Sequence, residues 1–166
     1  MPPIIVPAFG WGLVLSAVLF AVLLGVLRAN PEIMLNDYPP DVRARWGPIS
    51  PRSRRQRTWV ALLIFALLAL IVFLSTRALP RTANGRIPFV TAFVHFLVML
   101  GTFNVLDWLA LDWPLVYWRP RFLVLPGTEG MAGYSSYWFH FRGFLIGLPI
   151  ITVGSALFAG LAMLVM

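Results

Sequence analysis

Apolar and charged residues are segregated along this chain into long blocks. Four windows, residues 9–27, 58–76, 87–106 and 143–166, contain no Arg, Asp or Glu and are dominated by Leu, Val, Ile, Phe and Ala. A helix crossing a hydrocarbon core of about 30 Å needs about 20 such residues. The pattern therefore predicts an all-α integral membrane protein with four transmembrane helices, forming a single domain over residues 1–166. Residues 1–27 hold no charge, and no small-residue cleavage site follows the first apolar run, so that run reads as a span and not as a signal peptide. The intervening stretches 28–57 and 107–142 then lie on one side of the membrane and the short 77–86 stretch on the other.

Proline and glycine refine this outline. Pro88 suits the first turn of the third helix and Pro114 predicts its stop after Trp113. Helix from Pro88 to Trp113 would measure about 39 Å at 1.5 Å per residue, longer than the core, so it must tilt or project into the interface. Gly143, Gly147 and Gly154 fall close to one face of the fourth span, the pattern of close helix–helix packing, with Pro149 between them.

Composition supports the membrane reading. The chain is 60% hydrophobic with a mean hydropathy of +0.83, whereas soluble domains are about 45–50% apolar. The formal charge of +7 changes the picture only through its placement. All thirteen basic residues are arginines: ten lie in the 28–57 and 107–142 stretches and three in the middle one. By the positive-inside rule the ten-arginine side is cytoplasmic and both termini are outside. The absence of lysine fits a GC-rich bacterial genome, hence an inner or plasma membrane. No recognition motif accompanies the charge, so nucleic acid is not an expected partner. Without cysteine there is no disulfide, thiolate metal site or cysteine nucleophile.

Two loops carry the polar chemistry. In the first, Pro40-Asp41-Val42-Arg43-Ala44-Arg45-Trp46-Gly47 has proline and an acid at the front, arginines behind and glycine at the close, which predicts a short helix with Val42 and Trp46 on one face along the membrane surface. Arg52, Arg54, Arg55 and Arg57 follow as contacts for anionic lipid headgroups. The second loop, 107–142, holds ten aromatic residues and the apolar run 122–125, so it is expected to fold back on the helix ends at headgroup depth. Its residues 126–133 form a glycine-punctuated turn.

Asn104, Asp107, Asp112, Glu129, His140 and Arg142 are expected to gather near this loop. Asp107, Glu129 and His140 are the candidate catalytic groups, and Asn104, Arg142 and the intramembrane His95 are further candidate ligand contacts. Intramembrane ionisable groups are costly and point to function, although a histidine also packs neutrally with one hydrogen bond. The spacings match no metal signature, and the two histidines fall at different depths, which disfavours a haem between them. The simpler expectation, and the favoured one, is that the carboxylates pair with Arg119, Arg121 and Arg142 and pin the loop to the helix ends. No phosphate-binding glycine loop, HExxH, GxSxG or GxGxxG motif is present, nor the first-span acid of four-helix multidrug exporters.

Three readings of function follow. The small size and the absence of a catalytic motif favour an accessory or assembly subunit of a larger membrane complex, partnered by other membrane subunits or by copies of itself. The others are a small oligomeric transporter or channel, and an enzyme or binding protein for a lipid or quinone-like ligand at the cytoplasmic interface. The sequence names no cofactor.

Overall fold

The computed structural model describes residues 4–118 and 120–165, with the side chains of Leu115 and Val165 left aside. Every element among the described residues is helical. The long helices are α1 (Ile5–Ala29), α3 (Pro51–Arg77), α4 (Phe89–Asp107) and α6 (Tyr137–Val165), with two short helices, α2 (Pro40–Trp46) and α5 (Trp113–Tyr117). Four helices are long and apolar enough to cross a membrane, α4 counting through to Asp112.

All four run beyond the charge-free windows. The α3 helix begins at Pro51, capped by Ser50, whose hydroxyl accepts the Ser53 N–H at 3.2 Å, so the arginine run 52–57 is its first turns. The α6 helix begins six residues before Gly143, so His140 and Arg142 are helical. Polar residues continue a helix past the core as readily as apolar ones do; a window cut at the first charge stops short.

The third span holds a second departure. Pro114 does not stop it: Trp108–Asp112 forms a π-turn that passes directly into α5 and on to Tyr117. Proline lacks an N–H, and its ring collides with the carbonyl four residues back, here that of Ala110. Widening the coil relieves the collision, and Trp113 N–H bonds to Trp108 O, five residues back.

The principal helix contacts run α3–α1–α4–α6, a row whose edges are α3 and α6. At its centre α1 presents Ala8, Gly12, Ser16 and Leu19, spaced by three or four residues and all buried. A β-carbon at Gly12 would sit 2.6 Å from Thr102 Cβ and 2.9 Å from Met99 O, so only glycine lets α1 approach α4 this closely. From α4, Ala92, Phe96, Met99 and Leu100 complete that core. At the arginine-rich end, loop one (residues 28–57) and loop three (residues 107–142, after the short 77–86 connection) fold against each other. Leu35, Tyr38 and Val42 pack with Val124, Leu125 and Tyr134 into a second apolar cluster, the cap. Val42 is fully enclosed there, so the apolar face of α2 meets loop three and is not laid along the membrane surface.

Candidate functional site

The π-turn determines which side chains meet at the arginine-rich end. In a regular helix, residues five apart point about 140° away from each other at 3.6 residues per turn. A turn closed by i to i+5 bonds instead stacks them, and Asp107 and Asp112 are drawn towards one face. His140 arrives from the first turn of α6, and its Nδ1 lies 2.9 Å from Asp112 Oδ1. Asp107, half-buried, lies within electrostatic reach of both Asp112 and Asp37. Asp37, at the end of the 3-10 turn Pro31–Asp37, keeps one side open. The protein around it strips enough water to push its carboxyl above the usual range; Arg57 opposes this, Asp112 adds to it and Arg43 opposes it again.

The His140–Asp112 contact has a chemical consequence. A neutral imidazole that donates from Nδ1 to a carboxylate holds its lone pair on Nε2. That Nε2 is buried and has no hydrogen-bond partner, on a residue only 4% exposed. The indole N–H of Trp108 is likewise buried and unpartnered. Trp108 forms an aromatic wall with Trp113, Tyr137, Phe141 and Phe144, its ring centroid 5.1 Å from that of Phe144. A groove of about 340 Å³ opens close by between loop one and α6, lined by Pro39, Asp41, Gly133, Ser136, Trp138 and Arg142; neither His140 nor Asp112 lines it.

The remaining candidates separate. Asn104 donates to Phe144 O at 3.2 Å and occupies the space that a side chain at Gly147 would need, so it locks α4 to α6. Gly147 is therefore a packing glycine, while Gly143 faces open space. Glu129 is exposed; its carboxylate accepts its own N–H and that of Gly127, which holds its pKa below the usual value. Arg142 is exposed on the groove. Arg52, Arg54 and Arg55 are exposed, whereas Arg57 has one guanidinium nitrogen buried without a partner. Neither Arg121 nor Arg142 forms an ion pair with Asp107, Asp112 or Glu129, so among the described residues Asp112 is held by a histidine and not by an arginine. Arg119 lies outside the described residues. Among those described, no three His, Asp or Glu side chains converge closely enough to ligate one metal ion.

Glu32 was not among the candidates, yet it is the most heavily bonded carboxylate. It accepts Ser50 N–H at 2.7 Å, Ser50 Oγ at 2.8 Å, Ser53 Oγ and Trp46 Nε1. Burial works against its charge, but the bonds from Ser53, Ser50 and Trp46 outweigh it and hold the carboxyl down to about 2. Asn30 joins this network, donating to Ser53 Oγ and Gln56 Oε1, both at 2.9 Å. The signal was present in Asn30-Pro31-Glu32 and Ser50-Pro51-Arg52-Ser53, two capping sequences facing each other across loop one. Asp37 had no such signal, since only the folded loop brings it near Asp112.

Comparison with protein-family models, curated proteins and solved structures finds no match to the chain.

Proposed function

We propose that this protein binds a lipid headgroup at the membrane interface and that the His140–Asp112 pair is the acid–base group of that site. The observation that carries the reading is the buried Nε2 of His140, left without a protein partner while Nδ1 meets Asp112. With Nδ1–H donated to Asp112, Nε2 carries a lone pair able to accept a headgroup hydroxyl's hydrogen bond or proton, and because it is enclosed, the wall between it and the groove must open for a headgroup to reach it. Arg142 and Trp138, on the neighbouring groove, supply a cation and an amphipathic ring at headgroup depth. In this reading the ten-arginine end faces the cytoplasm of a bacterial cell, both termini face outward, and loop three lies in the interface.

The test is to purify wild type, His140→Gln and Arg142→Gln in parallel from the same membranes and compare retained lipids by mass spectrometry. Wild type is expected to hold a headgroup class that both variants lose while melting within a few degrees of it. An identical lipid complement in all three would remove the proposal.

One observation favours a second reading, an accessory subunit. The α6 helix packs mainly on α4 and leaves Ile146, Ile150, Val153, Leu157, Leu161 and Leu164 exposed, spaced by three or four residues along one side. A helix of another subunit would fit that stripe as lipid does. Transport by a single copy has less support, since a row of helices encloses no path.

A further inference from the structure

His95 lies near the opposite end of α4, and the proposed headgroup site does not use it. The residue is 1% exposed, and neither Nδ1 nor Nε2 has a hydrogen-bond partner. Its ring stands edge-on to Phe96, centroids 5.3 Å apart, which restricts its rotation. It lines a partly open cavity of about 210 Å³ between the start of α1 and the end of α3, whose other lining residues are Ile4, Pro7, Ala78, Leu79 and Pro80. None of those five side chains carries a hydrogen-bonding group. Among the described residues the imidazole is the one polar side chain lining the space, its nitrogens just beneath the wall, and buried polar groups without partners are rare enough to require an explanation.

We propose that this cavity binds a single six-membered ring carrying an oxygen, the head of a phenol or a quinone, hydrogen-bonded to His95. Size and lining both argue for a ring. Apolar cavities of about 150 Å³ take up benzene, and about 210 Å³ leaves room for one or two oxygen substituents. The walls contain two prolines, whose rings are stiff. His95 lies about 9 Å along the helix from Phe89 at 1.5 Å per residue, so the mouth is within reach of ligands dissolved in the membrane. A neutral imidazole donates from one nitrogen and accepts at the other, and so serves a quinone carbonyl or a phenol hydroxyl.

Fluorine NMR of the protein in nanodiscs tests this with 4-fluorophenol, 2-fluoro-1,4-benzoquinone and the shape-matched 4-fluorotoluene. The chain has neither cysteine nor lysine to react with the quinone. One oxygenated probe is expected to bind about threefold to tenfold tighter than fluorotoluene, the worth of one net hydrogen bond. Tighter phenol marks a phenol or quinol site, and tighter quinone marks a quinone site. His95→Leu should keep fluorotoluene binding and lose the preference, and Ala78→Phe, which keeps the histidine, should abolish binding of all three. No binding in wild type, or no preference over fluorotoluene, overturns the proposal.

Discussion

The chain has two histidines, and the fold treats them in opposite ways. His140 is enclosed at the arginine-rich end with a carboxylate 2.9 Å from one nitrogen, while His95 is enclosed at the other end with no partner for either. Both are almost fully buried. What differs is the architecture around them. At the arginine-rich end two long loops fold together into a cap, and the π-turn delivers acids to a histidine that alone would be poorly satisfied. At the other end the connection is short, and the space beside His95 is lined by prolines and aliphatic groups. Burial alone therefore does not define a histidine's role; the partner supplied does. One ring has a carboxylate beside it, and the other has no partner in the protein.

The sharpest way to break this contrast is to remove the carboxylate. Asp112→Leu should destabilise the protein by about 1.5–3 kcal/mol, the worth of a hydrogen bond to a charged group, because His140 is left buried with neither nitrogen satisfied. Asp112→Asn, which still accepts from Nδ1–H, should cost clearly less. Thermal unfolding in one detergent measures both, and equal losses would mean that the pair is not what stabilises His140.

A smaller effect belongs to Glu32, which ties loop one to α3 and so supports the cap from its edge. Its folded pKa, about 2, lies below the ordinary 4.5, so its stabilisation is complete above pH 4.5 and is lost as pH falls towards 2. A fluorinated Trp46, whose indole N–H bonds to Glu32 at 3.4 Å, should show a shifted and broadened fluorine NMR signal across that window. Glu32→Gln should flatten the response. A pH-independent wild-type signal would contradict the network.

The smallest change is expected at His95. Replacing a buried group whose polar atoms have no partner by an apolar one is close to neutral, so His95→Leu should lie within about 0.5 kcal/mol of wild type or above it. A loss like that of Asp112→Leu would show that His95 is satisfied within the protein, and the contrast would collapse.

The four spans were legible because lipid demands an uninterrupted apolar run, and the sequence supplies four. Their ends were not, because a helix in water tolerates arginine and histidine, and so α3 absorbed 51–57 and α6 absorbed 137–142. The short α2 was readable from its proline, acid and closing Gly47, which adopts a φ of 90°. Its partner was not, since the packing of Val42 with Tyr134 joins residues far apart in the chain. The same limit applies to the site. Asp112 and His140 were both visible as polar residues near one membrane surface, yet their pairing across 28 positions required the π-turn and the early start of α6. The π-turn itself had a signal in Pro114, which reads equally as a stop or as a widened coil.

That widened coil also sets a bookkeeping rule for the chain. A π-turn is in effect a helix carrying one residue more than regular geometry needs. Deleting Ala110 would remove that residue and let the coil close to regular α geometry with the flanking helix nearly in place, but the Pro114 ring would then collide with the carbonyl four residues before it, that of Leu109. The connection at 78–88 imposes no such count, because no helix register crosses it. In descendants of this sequence, insertions and deletions should therefore accumulate around Thr82–Gly85 and be absent between Asp107 and Pro114.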